Sequence, residues 1–214
     1  MRCADPATYA RHVTRTNYHH GALREALMSA TLELIEAEGI GAVSLRHVAR
    51  TAGVSPGAPY HHFADRAALL SALSDEGFRR LATELCAAKA GAATPVDALP
   101  AMIETYVLFA RRNPAYFQLM FRPELKKSLK SPQGEEAGEA AFTVLDDVVE
   151  ACVAAGVMRP VDKEVLALTL WSLVHGLASL WLDGHLAHHT DDPEELTRQV
   201  ARLVSGFMVR GGPA

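Results

Sequence analysis

Apolar residues recur at helical spacing along most of the chain, with polar residues between them. In residues 21–38 they fall at Leu23, Leu27, Ala30 and Leu34, which share one face of a helix. Similar patterns and helix-capping residues predict further helices in six ranges: 65–89, 95–112, 115–121, 135–155, 161–183 and 193–209. No stretch has the strong alternation of a half-buried strand. With two short helices between residues 44 and 63, the sequence predicts an all-α fold of about nine helices.

The segment between residues 44 and 63 predicts two short helices joined by a tight turn. Ser44 suits the N-cap of the first helix, because its hydroxyl oxygen can accept an unpaired backbone N–H. Gly53 suits the turn, which requires a positive φ. The inward positions of the first helix are Leu45, Val48, Ala49 and Ala52. This arrangement is typical of a helix-turn-helix unit, whose second helix enters the major groove of DNA.

The second helix of this unit is predicted to begin with Ser55 as N-cap and Pro56 at the first helical position, where a missing N–H has no cost. Phe63 is its inward anchor. The exposed positions are Gly57, Ala58, Tyr60 and His61. Glycine and alanine let a backbone approach a duplex closely, while tyrosine and histidine can hydrogen-bond phosphates or base edges.

Residues 21–70 resemble the DNA-binding domain of the tetracycline-repressor (TetR/AcrR) family. The residues that carry the resemblance are Ala26, Gly39, Ser44, Val48, Ala49, Ala52, Gly53, Val54, Ser55, Gly57, Tyr60, Phe63, Arg66, Leu69 and Leu70. The resemblance implies a flexible arm at 1–19, a three-helix helix-turn-helix domain at 20–80, and an effector-binding and dimerisation bundle at 81–214. It also implies a ligand-responsive repressor that binds a palindromic double-stranded DNA operator as a homodimer.

The segment departs from the family pattern at three positions. Ala58 replaces a usual hydroxyl residue, Pro59 a frequent aliphatic residue, and Arg66 a usual lysine. Pro59 cannot donate a backbone hydrogen bond and disfavours the α conformation at Ala58, so we expect a distorted first turn. The expected DNA contacts are Ser44, Arg46, Ser55, Pro56, Gly57, Ala58, Tyr60, His61, His62 and Arg66.

Residues 165–182 contain no charged side chain. Leu170, Leu173, Leu177 and Leu180 form one stripe of the predicted helix, and Trp171, His175, Ala178 and Leu182 form a second stripe on nearly the opposite side. A helix that is apolar on two sides must bury both, so we expect residues 161–183 and 193–209 to form the homodimer interface. A membrane span is the alternative, but the segment is short of about 20 apolar residues and lacks a basic flank.

The run of Trp171, His175 and Gly176, together with residues 113–121, resembles the WHG-type C-terminal ligand-binding domain of one subgroup of the same family. This implies a pocket for a small apolar effector, with candidate residues Tyr106, Phe109, Phe117, Met120, Phe121, Phe142, Trp171 and His175. Such aromatic and Met residues are also ordinary core residues. His175 is therefore either a core histidine or the polar anchor of a mostly apolar pocket.

The net charge of −4 argues against a protein that coats nucleic acid indiscriminately. The charge is uneven, because residues 1–66 carry seven Arg and six acidic residues, a balance of +1. The remaining residues carry fourteen basic and nineteen acidic side chains, a balance of −5. A near-neutral head permits local DNA contact without attraction of the whole molecule.

Candidate chemistry other than DNA binding is sparse. The three cysteines have no C-x-x-C spacing, so neither a disulfide framework nor a zinc module is indicated, and the N-terminus has no signal-peptide pattern. Both features favour the cytoplasm. Without a recognisable catalytic motif, we expect no enzyme, cofactor or metal. The alternative is an all-α small-molecule-binding protein or metal-dependent enzyme that uses the bundle cavity and His185, His188, His189, Asp191 and Asp192.

Overall fold

The computed structural model describes the backbone of residues 15–122, 132–158 and 162–209, and the side chains of all of these except 15–20 and 132–135. The α-helices are α1 (Arg15–Glu38), α2 (Leu45–Thr51), α3 (Arg66–Gly91), α4 (Pro95–Arg112), α5 (Pro114–Met120), α6 (Pro132–Ala154), α7 (Lys163–Leu182) and α8 (Pro193–Met208). Two short 3-10 helices, Ile40–Ala42 and Ala58–His61, complete the helical elements of these ranges. The described residues contain no strand, only an isolated bridge between Met158 and Val209. The predicted all-α fold is confirmed.

The chain divides into two compact units. The N-terminal unit comprises residues 1–74 and 118–130, and the C-terminal unit comprises residues 75–117 and 131–214. The division lies inside α3, after Ser74, whereas the sequence predicts a domain boundary after residue 80. Helix α3 therefore contributes its first turns to one unit and its remaining length to the other.

Helix α1 begins at Arg15, earlier than the predicted start at Gly21. Residues 15–20 contain neither proline nor glycine, so nothing in them interrupts a helix that continues through Gly21. The last five residues of the predicted flexible arm are consequently helical, and residues 1–14 lie outside the described residues. Gly39 follows the helix with a φ of 82°, a conformation that glycine adopts at little cost.

The N-terminal unit buries the apolar faces of its helices in one core. Its most buried large side chains are Leu27, Val48, Phe63, Leu69, Leu70 and Leu73. Ser44 caps α2, because its hydroxyl oxygen accepts the N–H of His47 at 3.2 Å. Gly53 makes the following turn with a φ of 68°, as its position predicts. The core holds α2 at a fixed angle to the segment that follows it.

Helix α4 is central to the C-terminal unit, because it packs against α6, α7 and α8, while α6 also packs against α7. Its buried residues lie on several sides of the helix: Ala98, Leu99, Met102, Ile103, Tyr106, Val107, Phe109 and Ala110. Side-chain caps fix the starts of three helices, since Thr94, Asp162 and Asp192 accept backbone N–H groups at the beginnings of α4, α7 and α8. Such caps satisfy donors that a helix start otherwise leaves unpaired.

The two faces of α7 differ from their predicted composition. The buried face consists of Leu166, Ala167, Leu170, Val174 and Ala178. The exposed large apolar side chains of α7 are Val165, Leu168, Leu173 and Leu180. Leu170 therefore belongs to the packed face and not to the stripe of Leu173 and Leu180. The helix packs on two neighbours, α4 and α6, so its buried surface is wider than one predicted stripe.

Helix α7 is also the one helix in the described part of the chain whose length and hydropathy would permit a membrane crossing. Buried helices of globular bundles have the same character, and one side of α7 packs against α4 and α6. The preceding helix, α6, begins at Pro132 and not at Glu135 as predicted. Proline is common at the first helical position. Most of the predicted basic loop, residues 123–131, lies outside the described residues.

Candidate nucleic-acid interface and ligand site

The second element of the predicted helix-turn-helix unit is a 3-10 helix, which we call the recognition turn (Ala58–His61). The predicted α-helix starting at Ser55 and Pro56 is wrong, because the N-cap is Gly57 and no side chain caps it. Pro59 has no N–H to donate to the carbonyl of Ser55, so the first α-helical hydrogen bond is not available. The N–H of Ala58 bonds that carbonyl at 3.0 Å instead, in the i to i+3 pattern of a 3-10 helix.

The recognition turn is fixed from below by Phe63. Its ring is 3% exposed, and its backbone N–H donates to the carbonyl of Pro59 at 2.9 Å. The guanidinium carbon of Arg24, on α1, lies 5.4 Å from the centre of the ring, a cation–π contact. Pro59 is also buried. These contacts leave the opposite side of the turn exposed.

The exposed side of the recognition turn carries most of the residues predicted to contact DNA. Tyr60 is 54% exposed, and Ser55, Pro56, Gly57 and His61 are exposed as well. Two of the predicted residues are less accessible, since Ala58 and His62 are half-buried. The His62 ring lies 6.4 Å from that of Phe63, so this histidine packs towards the core. Tyr60 and His61 are therefore the large polar side chains that the turn presents.

Helix α2 adds two arginines to this surface. Arg46 was a predicted contact, and Arg50 lies one helical turn further along; both are exposed, and i and i+4 residues share a helix face. Helix α2 packs against the recognition turn. Sequence reasoning missed Arg50, although its spacing from Arg46 was visible. The Ser44 hydroxyl, by contrast, already caps α2.

Arg66 occupies a different position from the one predicted for a phosphate contact. Its Nε donates to the carbonyl of Val43 at 2.8 Å, and one terminal nitrogen donates to the carbonyl of Ile40 at 2.7 Å. Both carbonyls belong to the segment that connects α1 to α2. The guanidinium thus ties the start of α3 to that connection, and we regard Arg66 as a residue that positions the reading surface.

Arg66→Lys is expected to lower the free energy of unfolding by about 1 kcal/mol, because an ammonium group cannot reproduce two parallel N–H bonds to separate carbonyls. DNA affinity should fall only in proportion to the loss of folded protein. Urea denaturation of the variant measures the first effect, and DNA titration well below the unfolding midpoint measures the second. Unchanged stability together with reduced DNA affinity would instead assign Arg66 to direct phosphate contact.

Five of the predicted ligand-site residues meet in the C-terminal unit, and we call them the aromatic cluster: Tyr106, Phe117, Phe142, Trp171 and His175. The hydroxyl oxygen of Tyr106 lies 2.9 Å from Nδ1 of His175. The Phe117 ring stacks on the imidazole at 5.3 Å, and Trp171 lies 6.0 Å from it. Phe142 contacts Trp171 edge-on at 6.1 Å. Contacts among residues from α4, α5, α6 and α7 thus surround one imidazole.

The other three predicted ligand-site residues do not join the cluster in the same way. Phe109 is completely buried on α4, and its position is that of a core residue. Met120, which is buried, and Phe121, which is half-buried, fall in the 118–130 segment of the N-terminal unit.

Burial changes the proton affinity of both hydrogen-bonded members of the cluster. It raises the pKa of the Tyr106 phenol, an effect partly opposed by a hydrogen bond from Trp171. It lowers the pKa of the His175 imidazole below the ordinary value of 6.5. Both shifts favour the uncharged forms, because a low-dielectric environment disfavours charge. At neutral pH the cluster therefore contains a phenol and a neutral imidazole.

The lowered pKa of His175 predicts a pH-dependent contribution to stability. As pH falls below about 6.5, the unfolded chain takes up a proton on this histidine before the folded chain does. The free energy of unfolding should therefore fall by up to about 1.4 kcal/mol per pH unit until the folded pKa is reached. His175→Gln should lack this contribution, and denaturation of both proteins at pH 8 and pH 5.5 measures the difference. Equal pH dependence in the two proteins would contradict the shift.

The histidines near the α7–α8 connection do not assemble a metal site within the described residues, since no three His, Cys, Asp or Glu side chains in those ranges are placed to hold an ion. The same region instead presents exposed apolar side chains on the adjoining helices. Leu203 and Phe207 on α8 are each 60% exposed, and α7 carries the four exposed apolar residues named above. Contiguous exposed apolar surfaces of this kind mark interaction sites.

Two domain families match the sequence. The family described as "Bacterial regulatory proteins, tetR family" matches residues 27–73, which include α2 and the recognition turn. The family described as "Tetracyclin repressor-like, C-terminal domain" matches residues 99–204, which include most of α4 and the whole of α7. One curated relative is the HTH-type transcriptional regulator BetI of Rhizobium meliloti (strain 1021), 39% identical over 80 residues. That match covers 37% of this chain and 39% of the relative, which is well under two thirds of its length.

Solved structures resemble nearly the whole chain. A protein with unknown function from Rhodococcus sp. RHA1 is 33% identical, with a TM-score of 0.76 over 90% of this chain and 98% of that one. A bacterial regulatory protein in the tetR family from Rhodococcus RHA1 has a TM-score of 0.72 over 87% of this chain and 96% of its own. The second structure is 24% identical, a level that shows a shared fold alone.

Proposed function

Since the chain belongs to the TetR family of transcriptional regulators, it is a DNA-binding regulator, and we propose that it acts as a cytoplasmic, ligand-responsive repressor. The observation that carries the proposal is the reading surface of the N-terminal unit. There, Tyr60 and His61 project from the recognition turn while Phe63 anchors its other side. The family and its relatives are regulators and not enzymes, and no observation favours the enzyme alternative.

In the proposed complex the recognition turn enters the major groove. Tyr60 and His61 hydrogen-bond base edges or phosphates, and exposed Gly57 lets the backbone come close to the duplex. Arg46 and Arg50 on α2 bind phosphates, which fix the orientation of the unit without reading sequence. Because the recognition turn has only four residues, few side chains from one chain can reach base edges. Specificity then requires two copies of the reading surface on one operator.

The second copy is supplied by a homodimer through α7 and α8. The support for this interface is the exposed apolar surface of the two helices, which a lone chain leaves in water. A two-fold dimer presents its two reading surfaces to half-sites about 34 Å apart, or to wider multiples of one helical turn. The operator is therefore palindromic, with half-sites related by the symmetry of the dimer.

The C-terminal unit takes the effector, at the aromatic cluster around His175. Its support is the meeting of Trp171, His175 and neighbouring rings from four helices, in the manner of a WHG-type ligand-binding domain. An effector lowers operator affinity only when it binds the operator-free conformation more tightly than the bound one. Helix α3 provides the covalent link, since its residues belong to both units.

Binding of the full chain to labelled duplexes from the DNA beside its own gene tests the proposed function. At physiological salt we expect a duplex to bind about a thousandfold more tightly than a scrambled one of equal length. Tyr60→Ala should weaken this binding, and Ser29→Ala, an exposed change on α1, should leave it unaltered. A chain that binds none of these duplexes better than the scrambled control contradicts the assignment.

A further inference from the structure

The aromatic cluster contains a directed chain of hydrogen bonds. Trp171 bonds the Tyr106 hydroxyl, and an indole N–H can only donate. The oxygen of Tyr106 therefore accepts that bond. The phenol keeps its own hydrogen, because burial raises its pKa, and Nδ1 of His175 lies 2.9 Å away to accept it. The direction is thus from Trp171 through Tyr106 to His175.

This direction determines which nitrogen of His175 carries the hydrogen. A neutral imidazole has one N–H and one acceptor nitrogen, and burial keeps this imidazole neutral by lowering its pKa. Since Nδ1 accepts from Tyr106, the hydrogen lies on Nε2. The cluster therefore ends in a single N–H donor, held in place by Phe117, whose ring stacks on the imidazole at 5.3 Å.

Charge is absent from the causes of these shifts. Burial alone accounts for the pKa of His175, and burial with the Trp171 hydrogen bond accounts for that of Tyr106. No charged side chain of the described residues contributes to either. An anionic group brought against this imidazole would lose its hydration without gaining a counter-charge, which is strongly unfavourable. The N–H donor is therefore suited to an uncharged acceptor.

The cluster also has an accessible edge. Phe142 is 37% exposed, and Trp171 and His175 are half-buried, whereas Phe109 on the same helix as Tyr106 has no exposure at all. A purely structural core group would resemble Phe109. The partly exposed rings instead offer an apolar surface that surrounds a polar centre, which is the usual composition of a small-molecule site.

We propose that the aromatic cluster binds an uncharged, mainly apolar molecule that carries a carbonyl oxygen, which accepts the N–H of His175. On binding, this oxygen exchanges with the group that the N–H contacts in the unliganded protein. Trp171 and Tyr106 act as positioning residues, because they set the tautomer of His175. The inference rests on the proposed function in one respect, namely that the C-terminal unit takes an effector.

Intrinsic fluorescence provides a direct test, because the chain contains only two tryptophans. Trp181 lies outside the cluster, 5.2 Å beneath the guanidinium of Arg111, so Trp181→Phe leaves Trp171 as the single reporter. This variant is titrated with 2-undecanone and cyclododecanone as neutral carbonyl compounds, and with undecanoate as the matched anion. We expect saturable changes in Trp171 emission with at least one ketone, and at least tenfold weaker binding of undecanoate.

Two further substitutions in the same background separate recognition from packing. His175→Phe removes the N–H donor and should weaken ketone binding at least tenfold, while His175→Gln keeps an N–H donor and should retain most of it. Tyr106→Phe removes the group that sets the tautomer and should reduce the preference for the ketone over undecanoate. Circular dichroism establishes that each variant is folded before titration.

The proposal is overturned when neither ketone changes the emission of folded protein, when undecanoate binds as tightly, or when His175→Phe binds the ketone normally. Duplex binding by the Trp181→Phe protein distinguishes this failure from failure of the proposed function. Intact duplex binding without ketone binding removes the effector class alone, whereas loss of all specific duplex binding in the unsubstituted chain removes the regulatory assignment.

Discussion

Phe63→Ala is expected to lower the free energy of unfolding of the N-terminal unit by about 3–5 kcal/mol, the usual cost of removing a buried aromatic side chain. The ring is 3% exposed and lies beneath Arg24, so the substitution leaves a cavity and removes a cation–π contact. The recognition turn would lose its anchor, since the N–H of Phe63 bonds the carbonyl of Pro59. Urea denaturation followed by circular dichroism measures the stability, and DNA titration should reveal loss of specific binding.

Two companion variants separate the structural effect of Phe63 from a loss of direct DNA contact. Phe63→Leu keeps most of the buried volume and should cost clearly less stability than alanine. Tyr60→Ala changes an exposed side chain, so its stability should stay within about 0.5 kcal/mol of the unsubstituted protein while its DNA affinity falls. A Phe63→Ala protein with unchanged stability would mean that the ring does not anchor the reading surface.

The double substitution Leu203→Asp with Phe207→Asp is expected to convert the dimer to a monomer and to weaken operator binding by at least a hundredfold. Both side chains are 60% exposed in the single chain, so aspartate costs the monomer little. In the proposed interface each carboxylate would be buried without a partner. Loss of the second reading surface removes the gain from effective concentration, which is on the order of 10²–10⁴ for linked sites. Analytical ultracentrifugation and DNA titration measure the two effects.

Val153→Asp is the matched control for this dimer prediction. Val153 is 42% exposed on α6, outside both α7 and α8, and the same change from apolar to charged should leave assembly and DNA binding intact. A double variant that stays dimeric would place the interface elsewhere. A variant that becomes monomeric and still binds the operator with full affinity would contradict the requirement for two reading surfaces.

The local signals in the sequence were sufficient for much of the N-terminal unit. Ser44 caps α2 and Gly53 takes the positive φ of the turn, because both properties depend on a few neighbouring residues. Pro59 correctly predicted a distorted element, but not that the whole element becomes a 3-10 helix. That outcome depends on how Phe63 and buried Pro59 are held by the surrounding core, and helical periodicity contains no information on such packing.

Contacts between distant residues were beyond the reach of the pattern. The bonds from Arg66 to the carbonyls of Ile40 and Val43 join residues more than twenty positions apart, so an exposed arginine at the start of a helix gave no sign of them. The hydrogen bond between Tyr106 and His175 likewise requires α4 to pack on α7. Five of eight proposed ligand-site residues meet, because aromatic residues on the packed faces of neighbouring helices come together in one core. The assignment of Leu170 to the packed face of α7 needed the positions of α4 and α6.

Selection of duplexes from a random library by the purified full chain is the most direct test of sequence-specific DNA binding by a two-fold dimer. The random segment should span about 30 base pairs, enough for two half-sites separated by one or two helical turns. The predicted result is enrichment of an inverted repeat, which the Tyr60→Ala protein does not enrich. Recovery of no common sequence after repeated rounds, or of a sequence without two-fold symmetry, would contradict it.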